Sequence, residues 1–88
     1  MENTAELEVW ISALGKLFGH EGQVETTIKN KGSATPKITG IFCPKDRKIT
    51  FEIVLRWDKE KYVPFMAMVS EGPRTRNYYP IQGNWSMN

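Results

Sequence analysis

One cysteine, Cys43, and one histidine, His20, are all this chain offers to thiol or imidazole chemistry. A lone cysteine forms no internal disulfide, and a structural zinc site draws its four ligands mostly from those two residue types. No metal and no cofactor is expected. The seven glycines are scattered singly, so no glycine-rich loop exists to cradle a phosphate. No apolar run approaches the roughly 18 residues that would suggest a membrane span. The N-terminus carries Glu2, Glu6 and Glu8 where a signal peptide has basic residues. These absences lead to the expectation of a cytoplasmic protein that does not act at a membrane. Catalytic pairings are equally sparse. His20 and Cys43 lack the local signature of a nucleophile and its base, and Asp58 and Glu60 fall in a turn where nothing would raise a carboxyl pKa. A non-enzymatic protein is expected.

What is present is ordinary for a folded chain. Of the 88 residues, 40% are hydrophobic and 25% charged, which suits one globular domain spanning 1–88. The net charge of +2 is too small to imply nucleic acid by itself. Its distribution is uneven: residues 1–22 hold four glutamates against Lys16, and residues 23–88 hold 11 Lys and Arg against 6 Asp and Glu. An acidic helical part therefore precedes a basic sheet part.

Leu7, Trp10, Ile11, Leu14, Leu17 and Phe18 recur at three- and four-residue spacing, predicting an amphipathic helix over residues 4–18. Asn3 is a favourable N-cap with Glu6 three residues later, and Gly19 is a C-terminal stop. A core position accounts for Trp10 without a ligand. After Gly22 the apolar period becomes two, predicting strands over residues 23–29 and 37–43. Gly40 inside the second strand marks a bulge or a close backbone approach. The sequence Pro44-Lys45-Asp46 suggests a type I turn. The tail suggests only a short edge strand near residues 77–82. Short connections favour antiparallel neighbours. The expected fold is α+β, an N-terminal amphipathic helix on a four- to five-stranded antiparallel meander, either open or strongly curved.

Residues 48–70 are the unusual stretch. Ile49, Phe51, Ile53, Leu55 and Trp57 alternate cleanly with polar residues, Val54 excepted. The second strand is apolar on both sides, with Val63, Phe65, Ala67 and Val69 on one and Tyr62, Pro64, Met66 and Met68 on the other. A strand of this kind needs cover on both sides. A four-residue loop sets Leu55 opposite Pro64 and Ile53 opposite Met66. A three-residue loop sets Leu55 opposite Val63 and Ile53 opposite Phe65, and the slip exchanges the faces. Pro64 donates no ladder bond, which points to an edge or a bulge.

The expected function follows from that surplus apolar surface. It is a protein-binding module of adaptor or inhibitor type, of the size often encoded by phages or mobile elements, whose partner is another protein or a second copy in a homodimer. Tyr62, Phe65, Met66 and Met68 are the candidate anchors, with Arg56, Lys59 and Lys61 as a charged rim. A second reading is a single-stranded DNA or RNA binder. It would use Arg74, Arg76, Tyr78 and Tyr79 together with Lys45, Arg47 and Lys48, since arginines hold phosphates and rings stack on unpaired bases.

Overall fold

The computed structural model describes residues 4–87, with side chains from Leu7 onward. The cap at Asn3 and its partner Glu6 lie outside the described residues and side chains. The first element is helix α1, Thr4–Lys16. Ile11 and Leu14 are buried on its inner face, and Leu7, Trp10 and Phe18 pack partly against the same core. The chain leaves the helix at Gly19 (φ +85°) through a Schellman turn. The His20 N–H donates to the Gly15 carbonyl at 3.0 Å and the Gly19 N–H to that of Lys16 at 3.2 Å. The helix thus stops two residues short of the expected 4–18, and Leu17, in the turn, is exposed rather than core.

Six strands follow: β1 Thr26–Lys29, β2 Lys37–Phe42, β3 Ile49–Asp58, β4 Lys61–Glu71, β5 Arg74–Ile81 and β6 Asn84–Ser86. They form an open antiparallel meander in sequence order, with α1 packed on one face. The α+β expectation is met with more strands than four or five. The tail holds two strands instead of one short edge strand. Strand β5 pairs with β4 through residues 67–71, and a turn at Gln82 and Gly83, both at positive φ, folds β6 back onto it. Strand β1 is shorter than the expected 23–29. The turn after β2 is also different: Arg47 N–H donates to the Pro44 carbonyl at 2.9 Å, but Lys45 (φ +51°) and Asp46 (φ +66°) are both left-handed. That is a type I′ geometry, the mirror image of the type I turn the composition suggests.

The core is built around a pair of stacked rings. Phe42 and Phe51 lie 4.4 Å apart between centroids, tilted by 17°. They come from adjacent strands on a diagonal, since Gly40 is directly opposite Phe51 and Ile49 opposite Phe42. A glycine lies against each ring. A Cβ on Gly15 would stand 3.0 Å from Phe42, and one on Gly40 only 2.6 Å from Phe51 and 3.0 Å from the Glu25 carbonyl. Gly40 is therefore a close approach, not a bulge. Leu14, Ile49 and Ile53 are, with Phe42, the largest fully buried side chains. Each such side chain contributes about 1.5–3 kcal/mol through burial. The far end of the sheet is fastened by Trp85 on β6. Its Nε1–H donates to the Trp10 carbonyl at 3.0 Å, and the two indoles meet edge to face at 5.2 Å.

Candidate protein-interaction surface

The β3–β4 hairpin uses neither register throughout. Next to its turn Trp57 faces Tyr62 and Leu55 faces Pro64. Beyond it Ile53 faces Ala67 and Phe51 faces Val69. The two stretches are joined by a β-bulge between Val54 and Leu55, where Phe65 is the extra residue. One inserted residue shifts the side-chain phase by one, so both halves of β4 present their better-fitting set to the core. Pro64, Ala67 and Val69 are buried; Val63, Met66 and Met68 face the other way, opposite Arg56, Val54 and Glu52. The expectation of a single continuous register with one intact set turned outward is thereby corrected. The outward set is drawn from both.

The same place ends the ladder on the other side of β4. Strands β4 and β5 pair from Glu71–Arg74 only as far as Ala67–Tyr78, after which β5 pairs with β6. Pro64 and Pro80 lie on either side of the gap, and neither has an N–H to extend the ladder. The segment before Ala67 therefore has β3 on one side and no strand on the other. Phe65 sits in it, 53% exposed. Met66, Met68 and Val54 are half-buried on the face opposite α1. Toward the other end this outer face becomes polar. Thr50 Oγ1 donates to the Ser70 carbonyl at 3.4 Å, Ser70 and Thr75 hydroxyls lie 2.9 Å apart, and Lys37 pairs with Glu52 at 3.1 Å. An open concavity of about 1120 Å³ lies at this polar end and includes Met68 but not Phe65.

Of the seven expected interface residues, Met66 and Met68 share the outer face, and Phe65 is exposed at the bulge that precedes them. Tyr62 is not with them. It packs on the helix side, where its ring meets Trp57 edge to face at 5.0 Å. Arg56, Lys59 and Lys61 are exposed near the hairpin tip, and Arg56 approaches Asp58 at 3.9 Å. Trp57 was not among the expected contacts, because its parity belongs to the core. It is 54% exposed since β3 runs past the part of the sheet that α1 covers.

The basic and aromatic residues are only partly assembled. Arg47, Arg74, Arg76 and Tyr78 line one cleft of about 350 Å³ with Leu17, Phe18 and Glu71. Arg47 grips Glu71 with both ends of its fork, at 2.8 and 2.6 Å. That hydrogen-bonded pairing holds the Glu71 carboxyl below its ordinary range, against a smaller opposing effect of desolvation, and raises Arg47. The cleft adjoins the C-terminal end of α1, where the helix dipole favours cations. Tyr78 is 7% exposed, with its ring edge against Phe18, and Tyr79 follows it on the alternate face of β5. Lys45 and Lys48 are exposed and do not line the cleft. Tyr79 is 39% exposed and does not line the cleft.

His20 and Cys43 meet, but through the main chain. The Cys43 N–H donates to His20 Nδ1 at 3.3 Å, and the imidazole leans on Phe42. Among the described residues no cluster of three or more metal-ligating side chains forms, and no helix is long and apolar enough to cross a membrane. No protein-family model, curated protein or solved structure matches this chain.

Proposed function

We propose that this chain is a non-enzymatic protein-binding module that docks a partner on the outer face of the β3–β4 hairpin. The observation that carries the reading is the bulge. It takes Phe65 out of the ladder and leaves it 53% exposed, adjacent in the chain to Met66, which lies half-buried with Met68 and Val54 on the face opposite α1. Aromatic and methionine side chains are enriched at the centre of protein interfaces. Arg56 and Lys59, exposed nearby, supply a basic rim that speeds the approach of an acidic partner and makes the encounter rate sensitive to salt. The buried side of β4 makes the same strand rigid, which lowers the ordering cost of docking.

The test is a photo-reactive phenylalanine analogue placed at position 65 in the native host, with the same analogue at exposed Lys31 as the control. Irradiation is expected to give a discrete adduct with a specific protein from position 65 and none from position 31. The adduct is expected to vanish when Met66→Asp is added. Equal, diffuse labelling from both positions would refute the reading.

A further inference from the structure

The free edge of β1 carries a pattern that the hairpin surface does not explain. All four residues of β1 are exposed, and β1 is the first strand of an open sheet, paired only with β2. Thr27 turns its carbonyl toward β2, where Thr39 Oγ1 donates to it at 3.4 Å. Backbone groups alternate along a strand, so Thr26 and Ile28 turn their N–H and C=O groups outward. Ile28 is 43% exposed although it lies directly opposite buried Ile38. The charges are unbalanced as well. Lys29 stands directly opposite Lys37, a like-charge cross-strand pair, and the ammonium of Lys37 is already engaged by Glu52 at 3.1 Å. Neither Lys29 nor Glu25 has an ion-pair partner among the described residues.

We propose that this edge pairs antiparallel with the same edge of a second copy of this chain, about a two-fold axis at Thr27. The sequence Glu25-Thr26-Thr27-Ile28-Lys29 is complementary to itself in that arrangement. Glu25 meets the second copy's Lys29 twice over, both residues being on the face that Thr27 shares. Thr26 meets the second copy's Ile28 twice, so the outward N–H and C=O groups satisfy one another in four hydrogen bonds. The glutamate supplies what Lys29 lacks within its own chain. The exposed Ile28 is covered in the same step. The contact is isologous, the form that closes at two copies and does not run on into a fibre. It is also short, so the dimer is weak and concentration-dependent. It leaves Phe65 free on each copy and does not depend on the function proposed for that surface.

Sedimentation equilibrium across the micromolar to millimolar range tests the pairing, at low salt, on wild type, Glu25→Lys, Lys29→Glu and the double exchange. Both positions of change are exposed, and circular dichroism checks that each variant is folded. Wild type is expected to dimerise. Each single change turns two attractive contacts into two repulsive ones and is expected to weaken the dimer by about tenfold. The double exchange restores complementarity and is expected to return it to within about twofold of wild type. Lys29→Glu is at the same time expected to raise the unfolding temperature, because it removes the clash with Lys37. A strictly monomeric wild type, single variants that associate like wild type, or a dimer abolished by Phe65→Asp instead would each overturn the proposal.

Discussion

The two halves of β4 obey the same rules and reach opposite outcomes. From Ala67 to Glu71 the strand has neighbours on both sides, and its inward residues, Ala67 and Val69, are buried. From Lys61 to Met66 it has β3 alone, and Phe65 and much of the hairpin tip stand in solvent. The more exposed half is the more apolar of the two. What differs is the neighbourhood that one bulge and two prolines create: the stretch paired on both sides buries its inward residues, and the stretch paired on one side buries only Pro64 and leaves Phe65 exposed. Hydrophobicity along this strand therefore does not by itself say which residues hold the fold together.

Substitution by aspartate separates the two halves most sharply. Ala67→Asp places an unpaired carboxylate between Ile53 and Tyr78 and is expected to cost about 3–5 kcal/mol. Phe65→Asp, two residues away, is expected to stay within about 1 kcal/mol of wild type, since nothing buried is disturbed. Urea unfolding followed by tryptophan fluorescence gives both numbers, and equal losses would erase the distinction. A smaller effect is expected inside the core. Gly40→Ala pushes a methyl group into Phe51, whose ring is held against Phe42, and against a backbone carbonyl that has little room to move. The cost expected from overpacking is about 1–3 kcal/mol. Thr39→Ala, the neighbouring residue on the outer face, is expected to change stability by less than about 0.5 kcal/mol.

The smallest effect concerns pH. Glu71, at the paired end of β4, has its carboxyl held below the ordinary range chiefly by the hydrogen bond from Arg47. A carboxylate with a lowered folded-state pKa stabilises the fold above its unfolded value, about 4.3 for glutamate, and loses that contribution as pH falls through the folded value. Glu71→Gln is thus expected to lower the unfolding temperature slightly at neutral pH. The difference from wild type should close as the solution is acidified below the ordinary carboxylate range. A difference that grows on acidification would mean that the pair does not act through the carboxylate.

The helix stripe and the β3 alternation were legible because each buries one face and leaves the other polar. Leu14 and Ile11 could only face inward, and so could Ile49, Phe51, Ile53 and Leu55. Strand β4 was legible as a strand but not in register, because apolar residues on both sides remove the contrast that fixes register. The bulge had one trace, Pro64, which is compatible with a bulge or an edge and here stands beside both. Strand β5 was obscured by polar residues on both faces from Arg74 to Asn77, of which only Tyr78 beyond them is buried. Strand β6 had a usable signal in Gln82 and Gly83, a two-residue turn with Ile81 before it and Asn84-Trp85 after it. Surplus hydrophobicity singled out Phe65, Met66 and Met68, of which Phe65 is exposed and the two methionines half-buried. Trp57 was missed because its exposure depends on where the helix ends, which alternation does not encode. The charge pattern at Glu25 and Lys29 gains meaning only once β1 is known to be an edge and Lys37 to be its neighbour.

The phase change at Phe65 is open to direct measurement by cross-strand nuclear Overhauser contacts on isotopically labelled protein. Leu55 with Pro64 and Ile53 with Ala67 are expected in the same molecule, which only an extra residue between them allows. Ile53 with Met66, or Leu55 with Val63, would mean one uninterrupted register and would contradict the bulge and the surface built on it.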